Sequence, residues 1–127
     1  MPPTLTPPPP ADLARYLATA RAREAERQAA LEAHRARALD VARQAAHALK
    51  TAFGARRVVL FGSLARGGKV SWRSDVDLAV WDVPADRYFM AVGRLQAIDP
   101  TVAVDVVRVE DAPPALRAVI DAEGVEL

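Results

Sequence analysis

The sequence predicts an α/β fold in which a small mixed sheet with flanking helices follows one long N-terminal helix. Three observations predict it. Residues 11–53 contain neither proline nor glycine and are dominated by Ala, Arg, Glu, Gln and Leu, the residues that lose least on entering a helix. After Gly54 come three short apolar runs, at 58–61, 76–80 and, rich in valine, 101–109; each has the length of a strand. Residues 86–98, and a last segment from Pro113 or Pro114 to Glu123, then carry apolar side chains at helical spacing, which supplies helices to cover the sheet.

Taken in order, residues 1–10 contain six prolines and read as a disordered, solvated tail, because proline cannot donate a backbone hydrogen bond. Asp12 suits the N-cap or first turn of the long helix, expected over 12–53 as one helix or as two with a bend. Its large apolar residues, among them Leu13, Leu17, Leu31 and Leu49, are sparse, and 21–28 is almost wholly charged residues and alanine. Such a helix is not buried all round. Residues 39–53 should pack on the domain, while the earlier part projects and pairs with another helix, in a second copy or in a partner. His34 and His47 lie too far apart along it for a metal-binding pair and read as polar helix residues.

Gly54 ends the helix and residues 56–61 form the first strand. Gly62-Ser63 follows, then a short helical turn through Arg66 and a polar loop containing Gly67, Gly68, Lys69 and Arg73. Residues 75–81 form the second strand and 86–98 a helix with Tyr88, Met90 or Ala91, Val92, Leu95 and Ile98 inward. Asp99-Pro100 stops it. Residues 101–109 form a third strand, apolar on both faces except at Asp105. A last helix to Glu123 turns Leu116, Val119 and Ile120 inward, and 125–127 adds an edge strand.

Composition bounds the function. A chain of 127 residues, 51% hydrophobic, is one domain's worth with an extension. No run is long and apolar enough to span a bilayer, and no secretion signal opens the sequence, so a cytoplasmic protein is expected. Without cysteine there is no disulfide or thiolate chemistry. The net charge is +1. The arginines of the first helix are interspersed with acids and lack aromatic neighbours, so direct nucleic-acid binding is not expected.

The chemistry-bearing residues cluster around the first two strands. Strand side chains alternate, so Asp75 and Asp77 share a face while Val76, Leu78 and Val80 take the other. Two neighbouring carboxylates repel unless a cation lies between them. Gly62 allows a sharp turn and close backbone approach, and Ser63 begins a helical turn whose N–H groups favour an anion. Asp105, amid valines, is costly to bury unless a cation, an arginine such as Arg108, or water reaches it.

Gly62-Ser63, the Leu64-Ala65-Arg66-Gly67 after it, Ser74-Asp75-Val76-Asp77-Leu78 and Val104-Asp105-Val106 together resemble the DNA polymerase beta-like nucleotidyltransferase superfamily. Within it they are similar to the minimal nucleotidyltransferases (MNT) of HEPN/MNT toxin–antitoxin pairs. The resemblance covers about residues 54–127. It implies that Asp75, Asp77 and Asp105 are the catalytic carboxylates and hold two Mg²⁺ ions. It also implies that Gly62 and Ser63 bind the β- and γ-phosphates of ATP, with Arg66 adding charge-assisted bonds. The implied reaction is attack on the α-phosphorus with release of pyrophosphate. Two departures from the family pattern bear on the phosphate contacts: the 64–74 spacer is one residue longer than usual, and Leu64 stands where these antitoxins often carry arginine.

Too little chain follows the third strand for an acceptor-binding domain, so a partner or a second copy must hold the acceptor. The resemblance implies an antitoxin that transfers AMP to a tyrosine of a HEPN-type toxin, with the long helix as a candidate docking surface. Two alternatives stand beside it: a small-molecule nucleotidyltransferase acting as a dimer, and an antitoxin that neutralises by contact alone; a homo-oligomer through the N-terminal helix is also open. On this reading the chain divides into a tail (1–10), a helical extension (11–53) and a nucleotidyltransferase domain (54–127).

Overall fold

The structure, a computed structural model, describes residues 10–67 and 76–127. Most of the expected tail, the expected loop with Lys69 and Arg73, and Asp75, expected to open the second strand, lie outside the described residues. Helix α1 spans Pro10–Ala52, β1 Arg57–Phe61, α2 Ser63–Arg66, β2 Val76–Trp81, α3 Tyr88–Gln96, β3 Val104–Arg108, α4 Pro114–Glu123 and β4 Val125–Glu126. Pro10, assigned from the sequence to the tail, is the first residue of α1, where a missing N–H costs nothing. Gly54, at φ +75°, reverses the chain after α1, and the Ala55 N–H returns to the Leu49 carbonyl at 2.9 Å.

The four strands form one mixed sheet in the order β3-β2-β1-β4. β1 runs antiparallel to β2 and β4, while β2 and β3 are parallel, joined through α3 as a parallel pair requires. One face carries Val58, Leu60, Leu78, Val80, Val104 and Val106 against the second half of α1 and against Ala91 and Leu95 of α3. The α1 side of that contact is largely alanine, at 38, 42, 45 and 46, which lets the helix approach the sheet closely. Leu49 and Phe53 fill the space left over; truncating either to alanine is expected to cost about 2–5 kcal/mol.

The opposite face carries Val59, Phe61 and Ala79 under Ile120 of α4 and Val109. Gly124 permits this packing, because a Cβ there would collide with Val59 and the Ile120 carbonyl. α4 covers only part of the face.

Several expectations need correction. Burial of α1 on the domain begins near Leu31, not Leu39, and His34, read as a polar helix residue, is buried within it. The third helix opens as a 3₁₀ turn at Ala85–Arg87 and ends at Gln96, and the third strand is shorter than 101–109. Of the residues expected to face inward, Met90 and Val119 are exposed while Ala91 and Ile120 are buried. Among the described residues no helix is long and apolar enough to cross a membrane.

Candidate active site

β1 runs directly into the candidate site. At its end Gly62 adopts φ +78°, ψ −159°, a region open in practice only to glycine. A Cβ on Gly62 would strike Oδ2 of Asp77 and lie 3.2 Å from its Cγ. The glycine is therefore fixed by two independent constraints, the backbone angle and the carboxyl packed against it. Ser63 opens α2, the Arg66 N–H returns to the Gly62 carbonyl at 3.1 Å, and buried Leu64 anchors the turn. Gly67, at φ +69°, closes it.

Asp77 sits opposite Phe61 in the β1–β2 ladder and is the register partner of Asp105 in the β2–β3 ladder. Register partners on neighbouring strands point to the same side of the sheet, and the strands are about 4.8 Å apart. Asp77 and Asp105 thus present adjacent carboxyl groups on the face that also carries Phe61 and Ala79. Asp77 is half-buried and Asp105 exposed.

Of the three groups expected to reach Asp105, a cation, an arginine or water, that exposure admits water. β3 is a sheet edge, and water reaches the carboxyl directly. Arg108 does not pair with it. Strand alternation puts Arg108 on the opposite face, where its Nε donates to the Val83 carbonyl at 2.8 Å and its Nη1 to Asp111 at 2.5 Å.

Arg66, expected at the phosphates, forms an ion pair with Glu123 of α4 at 3.1 Å. Their side chains are 55% and 35% exposed, so the pair is well screened and contributes at most about 1 kcal/mol. It ties α2 to α4 at the rim of the site.

Two anchors were not visible in the sequence. The Gln96 side chain donates to the Val102 carbonyl at 3.0 Å and accepts from the Val104 N–H at 3.1 Å, bracketing the start of β3. The Tyr88 hydroxyl donates to the Val106 carbonyl at 2.6 Å. Between them they hold the backbone on both sides of Asp105.

Asp75 lies outside the described residues, and among those described no group of three acidic or histidine side chains could hold a metal ion. The donor set that is described still fits Mg²⁺. Two adjacent, solvent-accessible carboxylates offer hard oxygen ligands to an ion that keeps several waters and takes few protein ligands.

Residues 43–127 match the family model for polymerase beta nucleotidyltransferases, a match that begins inside α1. No curated protein matches the chain. Among solved structures the chain is similar to one described as a minimal nucleotidyltransferase, at 35% identity and a TM-score of 0.52, covering 76% of this chain and 95% of that one. It is also similar to a toxin–antitoxin MntA–HpeT variant with two aspartate-to-glutamate substitutions: 18% identity, TM-score 0.56, 67% of this chain and 70% of that one. A second MntA–HpeT variant, with a tyrosine-to-alanine substitution, gives 22% identity, a TM-score of 0.51 and coverage of 63% and 64%. At those two identities the likeness is one of fold.

Proposed function

The chain belongs to the polymerase beta nucleotidyltransferase family, and from that premise we propose that it transfers AMP from ATP to a protein, acting as the antitoxin of a HEPN-type toxin. The observation that carries the proposal is the juxtaposition of Asp77 and Asp105 beside Gly62.

Asp77 and Asp105, with Asp75, would hold Mg²⁺, which when bound supplies positive charge to the triphosphate and the leaving group. The chain's own residues do the rest. Gly62, having no side chain, lets a phosphate approach the backbone where any other residue would block it. Ser63 offers its N–H and hydroxyl to the same phosphates. The acceptor oxygen bonds to the α-phosphorus, the bond from that phosphorus to the oxygen bridging it to the β-phosphate breaks, and pyrophosphate leaves with the electron pair. Exposed Asp105 is the carboxylate placed to accept the hydroxyl proton of an acceptor.

A macromolecular acceptor suits this site better than an enclosed small molecule. Asp105 is open to solvent on the edge strand, so a tyrosine on a partner's surface can reach it without a cleft. The MntA–HpeT neighbours, a toxin with its antitoxin, agree in fold with this reading.

The test is transfer of label from α-³²P-ATP, with Mg²⁺, to a HEPN-type protein encoded beside this chain. Label on the partner that disappears with Asp77→Asn is the expected result. Neutralisation of the partner that survives Asp77→Asn, with no label transferred, would replace catalysis by simple binding.

A further inference from the structure

Every residue from Pro10 to Ala30 is exposed. This arm of α1 extends about 30 Å at 1.5 Å per residue, and it continues the packed half of the same helix without a break. Its large apolar residues Leu13 and Leu17 are more than two-fifths exposed, while the charged residues Asp12, Arg15, Arg23, Glu24 and Arg27 share one side of the helix.

We propose that a second copy of this chain packs antiparallel against this arm, with the twofold axis between Thr19 and Ala20. The charges are arranged for that pairing. About this axis Asp12 faces Arg27 of the second copy, Arg15 faces its Glu24, and Tyr16 faces its Arg23. All six side chains line one surface groove of the helix.

On each arm Glu24 already holds Arg27, through contacts of 3.0 and 3.1 Å. Each end of the pair thus brings Asp12 and Arg15 of one copy to Glu24 and Arg27 of the other, a cluster of alternating sign. Symmetry repeats it at the other end. Tyr16 gains a cation–π contact with the facing Arg23, and the small Thr19 and Ala20 at the axis let the helices approach to the usual 8–10 Å or so. A parallel, in-register pair would instead set Arg15, Glu24 and Arg27 each against its own kind.

The arrangement also decides where the catalytic domains go. Antiparallel arms put them at opposite ends, with the two Leu31 positions about 35 Å apart along the helices. Each copy keeps its own site, open to an acceptor, and no shared cleft forms. The dimer therefore does not supply the acceptor pocket that a small-molecule transferase would need.

The test uses the full chain in sedimentation equilibrium. Wild type is expected to dimerise reversibly. Arg15→Glu alone and Glu24→Arg alone each set two like-charged pairs across the interface and should weaken the dimer about tenfold or more, roughly what 1.4 kcal/mol produces. Mixed together, the two variants should recover the dimer, because each reversed charge then faces its opposite. Both positions are exposed, and circular dichroism will check that helix content is unchanged. A monomeric wild type, a dimer indifferent to Arg15→Glu, or a mixture that stays monomeric would each overturn the proposal.

Discussion

Asp77 and Asp105 are register partners on adjacent parallel strands, and so present their carboxyl groups side by side on one face of the sheet. Everything else at the site stands in relation to this pair. Gly62 lies against the first carboxyl, and Gln96 and Tyr88 pin the strand that carries the second.

Gly62→Ala tests the closeness of that packing. The substitution imposes a backbone angle reserved for glycine and drives a methyl group into the Asp77 carboxyl. It should destabilise the fold by about 1–3 kcal/mol. Because the displaced group is a proposed metal ligand, activity should fall about 100-fold or more. Thermal melts and label-transfer rates on the same preparation measure both.

The ion pair between Arg66 and Glu123 separates a structural role from a phosphate-binding one. Loss of the pair alone moves stability by less than about 1 kcal/mol. If Arg66 also serves the triphosphate, Arg66→Ala should raise the KM for ATP about tenfold. Glu123→Gln, which frees the arginine, should leave that KM unchanged or lower it. Equal KM effects from both substitutions would assign Arg66 to structure.

Gln96→Leu removes both hydrogen bonds at the start of β3 in a side chain of similar size. The Val104 N–H and Val102 carbonyl lose their partner, with an expected loss of about 1–3 kcal/mol. The rate should drop through kcat, since the substitution loosens Asp105 and leaves the Gly62 turn alone. Steady-state kinetics that show KM rising instead would contradict that role.

Asp99 gives a pH dependence. Its carboxyl accepts from the Thr101 hydroxyl at 2.6 Å and the Thr101 N–H at 2.9 Å, and these bonds hold its pKa below the usual carboxylate value. A depressed folded-state pKa contributes stability that is present above the unfolded value and lost as pH falls through the folded one. Wild type should accordingly lose more stability than Asp99→Asn between neutral pH and pH about 3. Melting temperatures across that range check the sign.

Much of the fold was legible because its signals are local. The absence of proline and glycine from 11 to 53 marked α1, and the valine-rich runs marked the strands. Burial was less legible where it depended on the neighbours an element finds. Valines around Asp105 suggested cover on both faces, yet β3 is a sheet edge and the carboxyl is exposed. His34 reads as an ordinary polar residue of an alanine-rich helix, yet it is buried.

At the site, the Gly62-Ser63 bend and Asp77 could be read from strand alternation. The pairing of Asp77 with Asp105 could not, because register between strands separated by a helix has no signature in a single sequence; only the resemblance pointed to it. Glu123 meets Arg66 from 57 residues away, and nothing in the spacing of either announces the contact. Gln96 looked like an ordinary polar residue at a helix end.

The central claim is that Asp77 and Asp105 bind one divalent ion between them together with a triphosphate. Crystals soaked with Mn²⁺ and a non-hydrolysable ATP analogue, examined by anomalous diffraction, test it most directly. The account predicts a manganese peak within bonding distance of both carboxyl groups, lost with Asp77→Asn. Nucleotide bound with its metal away from both carboxylates would contradict it.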